Sequence, residues 1–265
     1  MVALAHPIVD PNDTVGFTEG RGINNSRTVA GDYVISDGTL HSFFLSGGTF
    51  TEYDVPGAVQ TNLLSINDAG DFTGGFDPDG SGIFQAFVSV GGTLTSFSVP
   101  GALGTFAYEI NNSKQLVVGY YIDGSGILHG YYRDANGALH FPIDPSGSTA
   151  TVLFGLNDRN WVVGRYADSS GVTHGLFFVP PNNFFTFDYP GSTFTSLNGI
   201  NDAGSYLWSL RRCFRHCPRI PGSRQRHTAD NMRRAGNEGV RFPVAGHSTQ
   251  PVALGVGRCN AGALS

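Results

Sequence analysis

Glu109-Ile110-Asn111-Asn112, with the apolar run at 115–122 behind it, decides the fold, because the same phrase returns along the chain. It recurs as Gly22-Ile23-Asn24-Asn25, Ser65-Ile66-Asn67-Asp68, Gly155-Leu156-Asn157-Asp158 and Gly199-Ile200-Asn201-Asp202, so the central Asn is spaced by 43, 44, 46 and 44 residues. A period of roughly 20 to 50 residues belongs to stacked or radial modules rather than to one irregular core.

Working outward from Asn111, residues 115–122 read as a strand, Asp123-Gly124-Ser125-Gly126 as a turn and 127–133 as a second strand. Residues 134–137 turn again, 138–144 make a third strand, Pro145 to Gly147 break it, and 149–154 make a fourth. Four antiparallel strands in this length match a propeller blade of about 40 to 45 residues. Proline closes the third strand in Val55-Pro56-Gly57, Val99-Pro100-Gly101 and Tyr189-Pro190-Gly191, outside the central ladder where a missing N–H would cost a bond. Phe43-Phe44, Phe87, Tyr131-Tyr132 and Phe177-Phe178 are expected to fill the space between blades. The expected fold is therefore an all-β propeller with four complete blades at 22–64, 65–108, 109–154 and 155–198. Residues 1–21 read as the last two strands of a partial blade, and 199–204 as the start of a broken fifth repeat.

Charge divides the chain. Residues 1–204 carry 6 Lys/Arg against 19 Asp/Glu, a formal −13, whereas residues 205–265 carry 10 Arg against 2 Asp/Glu, a formal +8. All 3 cysteines lie in that second segment. No basic n-region followed by an apolar stretch is visible at the start, and no run approaches the roughly 20 apolar residues of a membrane span.

The repeats resemble the HAF-type extracellular repeat of secreted bacterial proteins. Val118-Gly119-Tyr120-Tyr121-Ile122-Asp123 through His129-Gly130-Tyr131 carries its pattern, as does Val163-Gly164-Arg165-Tyr166-Ala167-Asp168 through His174-Gly175-Leu176. The second unit departs, with Gln85-Ala86-Phe87 where His-Gly-Phe is expected. The resemblance covers residues 22 to about 204; it implies an exported or cell-surface repeat protein and brings no catalytic residues.

After Gly204 the pattern stops, and 205–265 reads as a basic, non-repeating and largely disordered tail. Trp208 has a single codon, so moving the frame forward by one base gives Gly at that position. Continuing with permitted codons, residues 210–222 can be read as Arg-Tyr-Ala-Asp-Ala-Ser-Gly-Ile-Ala-His-Gly-Phe-Leu, which parallels 165–177. Near the C-terminus the shifted frame permits an apolar run and then a basic residue, resembling the end of a PEP-CTERM anchor. A one-base frameshift near residue 205 is the expectation. In the shifted frame the fifth unit would pair with the N-terminal stretch to close a five-bladed ring; as written, the ring is imperfectly closed and exposes strand edges.

Candidate chemistry is sparse. Asn24, Asn67, Asn111, Asn157 and Asn201 mark the repeats, and His41, His129 and His174 share one repeat position, which favours structural roles over a converging site. Asp77 and Asp79, with Asp123 and Asp168 at matching turns, are weak calcium candidates: no carboxylate closes the loop at the twelfth position, and Asp-Gly is ordinary hairpin chemistry. Cys213, His216, Cys217 and His227 lack zinc-site spacing. The Arg-rich tail implies no specific nucleic-acid partner, and no cofactor motif is present. The sequence reads as a non-enzymatic scaffold or binding surface, with glycan or protein as partner; the alternatives are a carbohydrate-binding propeller and, further off, a propeller hydrolase or lyase.

Overall fold

The structure, a computed structural model, describes residues 8–113, 116–212 and 254–255. Each recurring Asn closes a tight hairpin with its own side chain. Asn157 Oδ1 accepts the amides of Arg159 and Trp161, both at 3.0 Å, and Asn67 Oδ1 accepts those of Ala69 and Asp71 at 3.0 and 2.9 Å. A short polar side chain that satisfies turn amides makes the strands on either side immediate neighbours.

The sheets follow from this. β1 (Thr18–Ile23), β2 (Val29–Val34), β3 (Leu40–Ser46) and β4 (Thr49–Tyr53) form one antiparallel sheet in that order. β5 (Gln60–Ile66), β6 (Phe72–Asp77), β7 (Gln85–Val90) and β8 (Thr93–Phe97) form the second, and β9 (Gly104–Ile110), β10 (Leu116–Ile122), β11 (Leu128–Asp134) and β12 (Leu139–Ile143) the third. These lie in a compact unit spanning 1–143; a second unit spans 144–265. The second unit holds β13 (Ser148–Leu156), β14 (Val162–Asp168), β15 (Thr173–Val179) and β16 (Asn183–Phe187), then β17 (Ser192–Ile200) and β18 (Tyr206–Arg212), with β19 (Leu254–Gly255) against β18. The architecture is all-β and of the propeller class: four complete four-stranded blades and a fifth begun, the fourth joined to the fifth by a single parallel pairing of β15 with β17, at Thr173 and Phe194, into one seven-stranded sheet. No helix long and apolar enough to cross a membrane occurs among the described residues.

Three expectations are corrected. The blades begin one strand earlier than 22, 65, 109 and 155, because the Asn marks the first hairpin inside a sheet; the strand at 149–154 therefore pairs with β14 rather than closing the preceding sheet. The crossing between sheets falls instead at the Val-Pro-Gly links, where Ala58 N donates to Val55 O and Ala102 N to Val99 O. Residues 8–17 form no strand, so the pair of strands expected in 1–21 is not found among the described residues. Asp13 Oδ1 there gathers the amides of Val15, Gly16 and Phe17, which curls the chain until β1 begins at Thr18. Nor does order end at residue 204: β18 pairs antiparallel with β17 from Tyr206 to Arg212. The rest of the tail, including Cys213, His216, Cys217 and His227, lies outside the described residues apart from 254–255.

Each complete blade also needs one glycine. On the second strands, Gly31, Gly74, Gly119 and Gly164 have no room for a Cβ, which would overlap the carbonyl oxygens of Glu19, Asn62, Phe106 and Val152. The facing third-strand residues are Phe43, Phe87, Tyr131 and Leu176, all fully buried. Burying one such side chain is worth roughly 1.5 to 3 kcal/mol, and the missing Cβ opposite is what admits it. Between the first two blades the core runs through Ala30, Leu63, Phe76 and Phe87, and between the second and third through Ala86, Val88, Ala107, Ile110 and Val117.

Candidate functional site

The repeated residues are spent on holding the blades. Asn24 Nδ2 donates to Asn67 O at 3.2 Å, Asn67 Nδ2 to Asn111 O at 3.3 Å, and Asn157 Nδ2 to Asn201 O at 3.0 Å. A parallel row runs beside it, with Asn25 N on Asp68 Oδ1 at 2.7 Å, Asp68 N on Asn112 Oδ1 at 2.8 Å and Asp158 N on Asp202 Oδ1 at 2.8 Å. The Asn therefore works twice, capping its own turn and clasping the next blade.

The three repeat histidines form separate clasps, in the first, third and fourth blades. His41 Nδ1 lies 2.7 Å from Asp54 and its ring stacks on Tyr33; His129 Nε2 lies 3.3 Å from Asp123 and its ring stacks on Tyr121. His174 is held from both sides, with Nε2 3.2 Å from Asp168 and Nδ1 2.9 Å from Asp188, over Tyr166. Burial works to lower the His174 pKa, but the two carboxylates outweigh it and hold the imidazole above its ordinary value. The Ser170 hydroxyl and His174 hold Asp168 well below the usual carboxylate range. Asp77 accepts the amides of Asp79, Gly80 and Gly82, and Asp79 accepts that of Ser81, so these carboxylates serve their own loop. No group of three or more His, Cys, Asp or Glu arranged for a metal occurs among the described residues.

What the repeat pattern hid is the residue just after each obligatory glycine. That position holds Asp32, Gly75, Tyr120 and Arg165 in successive blades, and its neighbours depart from the repeat with it. Asp32 is buried and receives Arg21 Nε at 2.9 Å, while Arg21 Nη1 reaches Glu19 at 2.7 Å. Burial pushes the Asp32 carboxyl up to about 6, against the pull of Arg21. At Gly75 the absent side chain makes room for Phe106, since a Cβ there would meet its ring at 2.8 Å. Phe106 is stacked between Phe84 and Tyr120, each at 5.1 Å, and Tyr120 meets Tyr108 at 5.6 Å. These four rings are part-exposed, and Tyr108 lies within electrostatic range of Arg21. In the second unit Arg165 lies over Phe154 and Phe194, at 5.1 and 5.5 Å.

One further pair departs at the residue before Ile-Asn. Gly155 and Gly199 meet backbone to backbone, whereas Ser65 donates its hydroxyl to the Glu109 carboxylate. Burial raises Glu109 to about 7, with Ser65 pulling the other way. The signal for these residues was present in the sequence as departures from an otherwise regular register.

No protein-family profile and no curated protein matches the chain. Among solved structures it is similar to a lectin from Burkholderia pseudomallei, at 15% identity and a TM-score of 0.40, over 63% of this chain and 55% of that one. It is also similar to a variant of the Aleuria aurantia lectin bound to alpha-methyl-L-fucoside, at 15% identity and a TM-score of 0.43, over 73% and 68%. The chain thus spans little more than half the length of the Burkholderia lectin.

Proposed function

We propose that this chain is a non-enzymatic, extracellular binding propeller whose ligand class is carbohydrate. The observation that carries the reading is the part-exposed ladder of Phe84, Phe106, Tyr120 and Tyr108, with the Glu19–Arg21–Asp32 network near its Tyr108 end. Sugars present apolar C–H faces that pack on aromatic rings and hydroxyls that pair with fixed charged groups. Binding sites characteristically combine such an apolar surface with a few convergent polar groups. A hydrolytic role is disfavoured by access: the Asp32 side chain is 0% exposed and committed to Arg21, and Glu109 is engaged by Ser65.

A glycan array probed with the purified chain tests this. Binding to a defined glycan is expected, weakened at least tenfold by Tyr120→Ala with the far-UV spectrum unchanged. An array without signal at high protein concentration, or full binding by the Tyr120 variant, would remove the reading.

A further inference from the structure

A cavity of about 300 Å³ opens in the first unit between the second and third blades, and none of the four ladder rings lines it. Val88, Ile110 and Val117 give it a buried apolar wall, and the small side chains of Thr93 and Thr95 on β8 leave it open. Arg133 and Asp134 contribute the charged part of its lining, one of each sign. The register equivalents of Arg133 are Leu45, Ser89 and Phe178, so this cation belongs to the third blade alone. Its guanidinium stands 5.2 Å over the Phe97 ring and forms no ion pair among the described residues. The adjacent carboxylate, Asp134, is occupied by the amides of Asn136 and Ala138 and by His140. A chamber with one apolar wall, and a cation that is not ion-paired with the carboxylate beside it, selects an apolar body ending in an anion. We infer that this cavity binds a small aliphatic carboxylate, the carboxylate on Arg133 and the chain against Val88, Ile110 and Val117. The volume, equal to about ten water molecules of liquid, suits a medium-length chain.

Amide-resolved NMR titration with octanoate tests the site. Saturable shifts at Val88 and Val117 are expected, at least tenfold weaker affinity in Arg133→Gln, and a comparable loss when octanol replaces octanoate. Thr95→Trp, which fills the chamber, should abolish the shifts while leaving the rest of the spectrum in place. Absence of saturable shifts, or equal affinity of Arg133→Gln and the parent, would overturn the assignment. Because Tyr120→Ala should leave octanoate binding intact, failure here is distinguishable from failure of the glycan reading.

Independently, Trp208 carries an inference about the gene. It faces Leu197 at the register position where Gly74 faces Leu63 and Gly164 faces Leu153. Its indole Nε1 is buried without a hydrogen-bond partner among the described residues. We infer that the coding frame slips by one base shortly before Trp208, where the shifted reading supplies the glycine that this position requires in every other blade. Resequencing the gene should show a downstream +1 frame encoding Gly at this position and His-Gly-Phe about eleven codons on; a +1 frame without these residues would overturn the inference.

Discussion

Gly164 and Trp208 stand at one position in consecutive repeats, and the two surroundings differ in what comes next. At Gly164 an antiparallel third strand lies alongside, with Leu176 opposite the glycine and fully buried, whereas the neighbour at Trp208 is the two-residue parallel β19, with Gly255 opposite. At Trp208 the indole stacks on Tyr189, with centroids 5.3 Å apart, and joins Leu197, Tyr206, Val163 and Phe177 in a common cluster. The fifth repeat pairs its first two strands without the glycine, so hairpin formation and blade completion have separate requirements. Backbone ladder bonds suffice for the first; the second needs the close approach that only a missing Cβ permits.

The sharpest way to break this comparison is Gly164→Val. A side chain there meets the Val152 carbonyl, so a loss of about 4 kcal/mol or more is expected in urea denaturation, whereas Trp208→Val should cost about 1 to 3 kcal/mol of packing. Equal losses would mean the glycine position is not special. The Asn ladder gives the next contrast. Asn67→Ala removes two turn bonds and a clasp to the next blade and should cost about 2 to 4 kcal/mol. The Asn201 side chain serves only its own turn among the described residues, through Ser205 N, and its loss should cost about 1 kcal/mol.

Ser65–Glu109 against Gly155–Gly199 supplies the third. With the Glu109 carboxyl raised to about 7, the unfolded chain ionises first, so its protonated form favours folding below about 4.5 and this advantage is lost as pH rises to 7. Glu109→Gln should therefore gain roughly 2 to 3 kcal/mol at pH 8 relative to the parent and little at pH 4, measured by parallel melts. The smallest effect is expected at His174. Its folded pKa lies above 6.5, so its contribution is complete below that pH and fades as pH rises through the folded value. His174→Gln should lower Tm by roughly 2 °C at pH 5.5 and by nothing measurable at pH 9.

Much of the fold was legible because its period is written in residues: the Asn spacing, the Val-Val-Gly phrase and the Pro-Gly links each recur at the same step. The sheet borders were displaced by one strand because the Asn is a hairpin cap, and a cap marks a connection within a sheet as readily as one between sheets. The candidate site was nearly invisible for the opposite reason. Asp32, Gly75, Tyr120 and Arg165 matter through being unlike one another, and a reading tuned to sameness passes over them. Arg133 and its cavity depend on the small size of Thr93 and Thr95 across a blade seam, which no periodicity announces.

The Asn clasps also have a direction. Each side-chain amide reaches forward, to the carbonyl of a blade that lies later in the chain. On a ribosome, a newly emerged blade would hold an idle donor until its successor appeared, so assembly trails synthesis by one module. A chain stalled between modules therefore presents one waiting amide, and the growing protein is fastened from the front backwards, like a zip drawn one tooth behind the hand.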